Sequence, residues 1–277
     1  MDRDTAFLAD GFMRLPQFVE AHELCALAAA VDAALALDRP PCMERPGNDL
    51  MPLRWDDAIV ATMLGSARRI AAIEVALRAR HLTWISGYVS TKAPHSPALW
   101  WHQDWWCWDH PVSYRLPASQ VALLCYLGTT DRTSGALRIL PGSHHNSLPL
   151  HAILPEAHGA DANALTSAHP AMNDCSGQVT LDMQPGDAVV IDYRLLHGTH
   201  PNAQQSRRDC ILLSFAPDWD ALPDDIKAHL AMHPALPAED ERARSNACSY
   251  ARVLPEFDGM PASLAINRNA PAAFAAV

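Results

Sequence analysis

The sequence predicts an α+β fold, mainly β, in which N-terminal helices pack outside a jelly-roll core. Two observations predict it. Apolar residues recur at helical spacing over about the first 80 residues, and from Thr83 onward the pattern changes to the alternation of strands. Short apolar runs bounded by Gly, Pro and Asn then continue to about residue 217. Helices first and many short strands later are typical of an α+β chain whose strands close into a jelly roll.

The helical part is expected to contain three helices. Pro40-Pro41 ends the first of them, and a polar loop follows to about Arg54. Ser66 is the expected N-cap of the third, whose buried face carries Ile70 and Ile73. The expected helices are 23–37, 56–64 and 66–80.

The strands are expected to form the core of a single domain over residues 1–277, with a helical part at about 1–80, the core at about 81–217 and an extension at 218–277. Residues 144–178 are polar and aperiodic, which is typical of a lid or a binding loop. The extension is rich in Pro and Ala, so one or two short helices packed outside, with little chemistry, are expected there. The expected strands are a short one within 10–20, then 83–91, 120–128, 136–140, 179–183, 188–193 and 209–215.

Composition limits the partners and the compartment. With 49% hydrophobic and 19% charged residues, the 277-residue chain is an ordinary globular protein, and its net charge of −10 disfavours nucleic-acid and anionic-membrane partners. Seven Cys without a CxxC spacing indicate a reducing compartment. The start Met1-Asp2-Arg3-Asp4 lacks a basic n-region, and the longest apolar run, 24–37, is too short for a bilayer. A cytoplasmic protein is expected; its oligomeric state is not indicated.

The most informative stretch is Trp100–Trp108, which holds five of the eight Trp and a His-x-Asp pair. On a strand, His102 and Asp104 point to the same face, so an imidazole and a carboxylate converge. That is two-thirds of the facial triad of non-haem Fe(II) oxygenases. The motif alone is weak, and it needs a second His on a neighbouring strand.

A second group of candidates follows the predicted strand 188–193. His197 is the candidate third ligand, with His200 as its rival. Arg208 opens the last predicted strand, and its guanidinium suits a carboxylate, which it can hold through two charge-assisted hydrogen bonds. Thr199 could donate a hydroxyl to the same anion, and Arg207 is the rival of Arg208.

Taken in order, these motifs give the chain a resemblance to the phytanoyl-CoA dioxygenase family of Fe(II)/2-oxoglutarate-dependent oxygenases, over about residues 10–217. The resemblance implies a double-stranded β-helix of the cupin-like kind, iron held by His102, Asp104 and His197, and 2-oxoglutarate held by Arg208 with help from Thr199. The motifs that carry it are His102-x-Asp104, Ser134-Gly135-Ala136-Leu137, Pro141-Gly142-Ser143-His144, Gly186-Asp187, His197-Gly198-Thr199, Asn202 and Arg208.

The sequence indicates less clearly which residues would contact the substrate. If the strand persists beyond Asp104, Trp106 and Trp108 share its face and line a substrate pocket, and Tyr88 on the preceding strand is a third candidate. Trp-His-x-Asp followed by Trp108 resembles the ectoine hydroxylase branch locally, but Ser86 and Tyr88 stand where that branch has other polar groups. An ectoine-like substrate is therefore not favoured. A CoA thioester is not favoured either, because the sequence has no basic patch suited to its phosphates. The other Trp of the stretch are expected to pack the sheet, and the histidines at 144–169 to be solvated.

The function that this reading favours is a dioxygenase that hydroxylates a small organic molecule, secondary-metabolite or amino-acid-like, with O₂ and 2-oxoglutarate, releasing succinate and CO₂. A carboxylate at Asp104 favours hydroxylation over halogenation, which in this superfamily needs a small residue there. Three alternatives stay open. The same centre could catalyse desaturation, epoxidation or rearrangement; the fold could bind a ligand without turnover; or the site could be a zinc hydrolase, which would leave Arg208 without a role.

Overall fold

The computed structural model describes residues 3–37, 45, 47–271 and 274. Two antiparallel sheets close the predicted jelly roll: one in the order β1-β8-β5-β10-β3-β2, the other β4-β9-β6-β7. The predicted fold class is confirmed. The described strands are β1 Phe12–Leu15, β2 Asn48–Leu53, β3 Thr83–Lys92, β4 Leu99–His102, β5 Val121–Tyr126, β6 Leu137–Ile139, β7 Val179–Leu181, β8 Ala188–Asp192, β9 His197–Thr199 and β10 Arg208–Ala216.

The larger sheet is covered on both faces, which explains why its central strands are apolar on both sides. One core cluster joins its outer face to the N-terminal helices, and another lies between the two sheets. The helices therefore pack outside the jelly roll, as predicted. The described helices are α1 Arg3–Asp10, α2 Ala21–Leu35, α3 Ala58–Leu64, α4 Ala67–Leu77, α5 Ala160–Asn163, α6 Asp224–Leu230 and α7 Arg242–Ser245.

The N-terminal part confirms one cap and corrects one loop. The Ser66 hydroxyl accepts a hydrogen bond from the Arg69 backbone N–H at 3.4 Å, so Ser66 is the N-cap of α4. Residues 48–53 are not loop, because β2 pairs along β3 and buries Leu50 and Leu53. Helix α1 was not expected. Pro40-Pro41 lies outside the described residues.

Residues 144–178 are more ordered than their sequence suggested. They contain α5 and two 3₁₀ turns, Pro149–Ile153 and Pro170–Met172. His144, His151 and His158 are buried, so the prediction of solvated histidines is wrong for these three. The segment folds back onto the smaller sheet, where Ala162 and Ala171 pack against Trp100, and the His144 ring lies against α1, with Nε2 3.1 Å from the Leu8 carbonyl oxygen.

Residues 218–271 contain the expected short helices, α6 and α7, together with 3₁₀ turns at Trp219–Ala221, Glu239–Glu241 and Ala251–Val253. Helix α6 packs on Trp105, Trp106 and Trp108. The expectation that this extension carries little chemistry does not fit its position, because part of it lines the cavity that Asp104 also borders. Among the helices that the structure describes, none has the length and apolarity needed to cross a bilayer.

Candidate metal centre and its cavity

The two candidate histidine ligands are cross-strand partners. His102 is the last residue of β4, His197 is the first of β9, and the two pair directly opposite each other in the antiparallel ladder. Directly opposed residues place their side chains on the same face of a sheet. Both rings are buried, with centroids 4.2 Å apart. Residues far apart in the sequence thus meet at one point, as predicted.

Asp104 joins the pair because the chain leaves the strand after His102. The backbone N–H groups of Asp104 and Trp105 both donate to the Tyr193 carbonyl oxygen at 2.9 Å, which turns the chain away from the ladder. The carboxylate oxygens then lie 3.6 Å from His102 Nε2 and 3.5 Å from His197 Nε2. One ligand atom from each of the three residues falls within 4.8 Å of the others.

The orientation of both imidazoles suits metal binding. His102 Nδ1 lies 2.9 Å from the Trp100 carbonyl oxygen, and His197 Nδ1 lies 3.0 Å from that of Leu195. A carbonyl only accepts, so each Nδ1 carries the proton and each Nε2 keeps a lone pair. His102 Nε2 is buried without a hydrogen-bond partner in the part of the chain described. Ligand atoms about 2.1 Å from one ion and at right angles lie roughly 3 Å apart, close to the distances seen. The donor set therefore fits a divalent metal ion.

The ionisation of the site also suits a metal. Burial and the neighbouring His197 hold the pKa of His102 well below its usual range, so its imidazole is neutral. Burial raises the pKa of Asp104, but His197 and the hydrogen bond from His158 outweigh it, and the net pKa is well below the usual range. A neutral imidazole and an ionised carboxylate are the states that ligate.

A residue that the sequence reading missed, His158, contacts the same carboxylate. Its Nε2 lies 2.9 Å from Asp104 Oδ1, and its ring stands edge-on to that of His102 with centroids 5.1 Å apart. Burial lowers the pKa of His158 to about 4, with Arg45 adding to the shift, so the neutral ring donates from Nε2. No periodicity marks residue 158, which stands in the loop with a positive φ of 66°.

The three residues border a cavity of about 350 Å³, and Arg208 and Thr199 lie on its wall. Arg208 is buried, its guanidinium lies 5.6 Å from the centre of the Tyr126 ring, and one terminal nitrogen lies 3.3 Å from Asn48 Oδ1. Arg208 Nε and the Tyr126 hydroxyl are buried without a partner among the described residues. This pair of unpaired donors suits an anion, and the sequence reading had missed Tyr126 and Asn48.

The structure places the two competing candidates, Arg207 and His200, outside the site. Arg207 points outward, where it pairs with Asp32 and Asp209. His200 is not on the cavity wall, and its Nε2 lies 2.8 Å from the Thr180 hydroxyl. His197 and Arg208 are therefore the residues that the fold brings to Asp104 and to the cavity.

Of the three candidate substrate residues, two line the cavity. Tyr88 and Trp106 are on its wall, and Trp106 Nε1 donates to Gln120 at 2.9 Å. Trp108 is not: it packs against Tyr114 and Phe274. The prediction for Trp108 is wrong because β4 ends at His102, so strand alternation does not extend to residue 108.

A further part of the cavity wall comes from the C-terminal extension. His229 and Leu230 of α6, His233 after it, and Ile266 and Arg268 near the end of the described chain all line the cavity. Sequence reasoning missed them because the extension shows no motif, and only the fold brings it over the sheet.

Comparison with known proteins identifies the family. The model for phytanoyl-CoA dioxygenase matches residues 7–210. The chain belongs to the phytanoyl-CoA dioxygenase family. The predicted family and the predicted enzyme class, an oxygenase, are therefore confirmed. The residues of the metal cluster and Arg208 all lie within the matched range, whereas residues 218–271 lie beyond it.

Individual relatives are distant. The chain is 27% identical over 128 residues to a probable α-ketoglutarate-dependent hypophosphite dioxygenase of Stutzerimonas stutzeri, a stretch that spans 46% of this chain and 43% of the relative. It is 22% identical over 232 residues to the ectoine dioxygenase of Nocardia farcinica, covering 76% of each. The fold is similar to that of HygX from Streptomyces hygroscopicus, solved with nickel, 2-oxoglutarate and hygromycin B bound. That match has a TM-score of 0.58 and 17% identity, and it covers 78% of this chain and 87% of HygX.

Proposed function

We propose that the protein is an iron(II)- and 2-oxoglutarate-dependent dioxygenase that oxidises a small organic molecule. His102, Asp104 and His197 would hold the iron. Arg208 and Thr199, with Tyr126 and Asn48, which the structure adds, would hold the co-substrate. The observation that carries the proposal is that two oriented imidazoles and a carboxylate share one cavity with a buried guanidinium that has no carboxylate partner among the described ion pairs.

The residues have separate tasks in this proposal. When bound, iron and 2-oxoglutarate supply the oxidising chemistry, in which O₂ and 2-oxoglutarate are consumed and succinate and CO₂ are released. Three protein ligands on one face leave the other coordination positions open. Arg208 fixes the distal carboxylate of the co-substrate, and the apolar side chains Leu124 and Leu137 keep water from it. His158 holds the carboxylate of Asp104 in place.

The substrate is proposed to be a small molecule, and hydroxylation is the reaction proposed first. A cavity of about 350 Å³ that also holds the co-substrate leaves room for a small molecule only. The relatives support this, because ectoine and hygromycin B are small molecules. Desaturation, epoxidation or rearrangement would use the same residues. A cytoplasmic location is inferred as well, supported by six described cysteines that are all free.

The test is an anaerobic titration of Fe(II) and 2-oxoglutarate into the protein, followed by visible absorption. A bidentate 2-oxoglutarate on Fe(II) gives a weak metal-to-ligand charge-transfer band. We expect the band in the wild type and in Arg207→Ala, and its loss or strong weakening in Arg208→Ala, because Arg208 lies on the cavity wall whereas Arg207 does not. A wild type that binds metal without the band would refute the oxygenase proposal. Equal bands in Arg207→Ala and Arg208→Ala would refute the proposed role of Arg208 in holding 2-oxoglutarate.

A further inference from the structure

We propose that the substrate is an organic acid whose oxyanion is held by Arg268, with a hydrogen bond from His229. This inference rests on the proposed function, since it assumes that iron and 2-oxoglutarate occupy the other part of the cavity. It goes beyond the family match, because both residues lie outside residues 7–210. Both are on the cavity wall, and the extension that carries them lies beyond the range that the family model matches.

Charge is the first argument. Among the described residues that line the cavity, Asp104 is the single carboxylate. In a loaded site, the charges of iron(II), Asp104, the 2-oxoglutarate dianion and Arg208 cancel. Two further arginines, Arg45 and Arg268, line the same cavity, and Arg268 takes part in no ion pair among the described residues, so its positive charge is uncompensated. A partly buried charge is costly unless it is paired, so the loaded cavity favours an anionic ligand.

Backbone hydrogen bonds of the preceding residue, Asn267, fix the position of Arg268. Asn267 bridges to the chain beyond Asp104: its N–H donates to the Trp106 carbonyl at 2.9 Å, and its carbonyl accepts from the Trp108 N–H at 3.1 Å. Ile266 and Arg268 flank this bridge, and in extended chain such neighbours point to the same side. Both line the cavity.

The same bridge brings the guanidinium close to the metal centre. Arg268 Nη1 lies 3.5 Å from the backbone oxygen of Asp104. An oxyanion bound by Arg268 would therefore lie beside the backbone of the proposed ligand Asp104.

Two histidines of the extension add neutral donors. His229 Nδ1 accepts from the Leu264 backbone N–H at 3.1 Å, and His233 Nδ1 accepts from that of Ala235 at 3.1 Å. Each ring therefore carries its proton on Nε2. Burial lowers the pKa of both, that of His233 to about 4, so they donate without charge.

These donors are held in place. His229 is stacked on Trp106 with ring centroids 4.3 Å apart, and His233 Nε2 lies 3.3 Å from the Tyr88 hydroxyl. His233 is thus satisfied within the protein, whereas His229 Nε2–H is the ring's remaining donor.

The rest of this wall indicates the body of the substrate. Ile85, Trp106, Leu230, Met232 and Ile266 are apolar side chains that line the same cavity as Arg268 and His229. An apolar wall with one cation and one neutral donor suits an amphipathic molecule, with a hydrocarbon or aromatic body and one acid group. The substrate class is therefore a small aliphatic or arylalkyl acid.

The test compares acids with matched neutral amides on the anaerobic Fe(II)–2-oxoglutarate protein. The probes are phenylacetate against phenylacetamide and hexanoate against hexanamide, each at millimolar concentration. Binding next to the metal perturbs the charge-transfer band, and in air it stimulates succinate release. We expect an acid to act at least about tenfold more strongly than its amide, the difference expected of one charge-assisted hydrogen bond.

Variants assign the preference to Arg268. Arg268→Gln should abolish the difference between acid and amide, and Arg268→Lys should keep part of it. The control is Arg252→Gln, which removes an exposed arginine of the same extension that pairs with Glu74 away from the cavity; it should keep the wild-type preference.

Three results would overturn the inference. The first is that the amides act as well as the acids. The second is that Arg268→Gln keeps the wild-type preference for acids, and the third is that no acid has an effect. The absence of the charge-transfer band before any probe is added would refute the proposed function instead. The two failures are therefore distinguishable.

Discussion

At the scale of single residues, the site depends on a histidine that does not bind the metal in our proposal. His158 donates to Asp104 Oδ1 at 2.9 Å, on the carboxylate whose two oxygens face His102 and His197. A hydrogen-bond donor beside a ligating carboxylate fixes the rotamer of that carboxylate before the metal binds.

Removing this hydrogen bond should weaken the metal site. We expect His158→Ala to bind Fe(II) about 10- to 100-fold more weakly, which is the usual cost of losing a group that orients a ligand. The measurement is anaerobic Fe(II) titration. His169→Ala, which alters the same loop away from the cavity, is the control and should bind as the wild type does. Equal affinities in all three proteins would contradict the role given to His158.

The residues that could be predicted from sequence are those marked by the ordered motifs, including Asp104, which lies beyond the end of β4. His102 and Asp104 are two apart, and His197 and Arg208 each begin a strand, so spacing and the ordered motifs were sufficient. His158, His229 and Arg268 could not be predicted, because loop and extension residues reach the cavity only through contacts distant in sequence. Trp108 was misplaced because a chain turn, which spacing does not show, follows His102.

At the scale of elements, β9 contacts β4 closely because its middle residue is Gly198. A Cβ added there would lie 2.8 Å from the Leu99 carbonyl oxygen and 2.9 Å from that of Trp100. These are backbone atoms, which cannot move aside as a flexible side chain does. The absence of a side chain at Gly198 therefore sets the distance between the strands that carry His102 and His197.

Adding that Cβ should separate the ligands. We expect Gly198→Ala to lower the free energy of unfolding by about 1–3 kcal/mol, the range for overpacking, and to weaken Fe(II) binding at least about tenfold. Urea unfolding and metal titration measure the two effects. Gly128→Ala is the matched control, because a Cβ there would meet nothing within 4 Å. Wild-type iron affinity in Gly198→Ala would show that the strands tolerate a wider spacing.

Most elements could be predicted, and the exceptions have a common cause. The strands with clear alternation or a continuous apolar run, such as β3, β5 and β8, are where the pattern placed them. Strand β2 reads as a polar loop, since Asn48, Asp49 and Pro52 are poor strand formers, and only pairing with β3 makes it extended. Tertiary pairing overrides local propensity at this edge.

At the scale of the whole molecule, one buried lysine should make the free energy of unfolding depend on pH above neutrality. Lys92 ends β3 opposite Arg208, is fully buried, and donates from Nζ to the Pro97 carbonyl at 2.6 Å. Burial lowers its pKa from 10.5 to about 7, with Arg208 and Arg138 adding to the shift. Between these two pH values the unfolded chain binds more protons at this residue than the folded chain does.

Stability should therefore rise with pH in this window. From pH 7 to pH 9 we expect the free energy of unfolding to increase by up to about 2–3 kcal/mol through Lys92, at roughly 1.4 kcal/mol per pH unit. Urea unfolding at several pH values measures it. Lys92→Met should remove this rise, whereas Lys227→Met, which removes a lysine paired with Asp224 on α6, should retain it. A wild-type slope in Lys92→Met would contradict the assignment.

The division into a helical part, a core and an extension remains a prediction about folding. The larger sheet shares one core cluster with the helices and another with the smaller sheet, and α6 packs on the Trp cluster. Because these clusters share strands, we expect a single unfolding transition for the chain rather than separate ones for its parts.

The order of the cavity-lining residues along the chain has a practical consequence. The proposed iron and 2-oxoglutarate ligands lie between residues 48 and 208, whereas the wall with His229, Ile266 and Arg268 comes from one later stretch. Chimeras that exchange only residues 219–271 would therefore alter the substrate wall while leaving the proposed iron ligands untouched. Iron binding would then report, independently of turnover, which chimeras are folded, so new substrate preferences could be selected among properly assembled proteins.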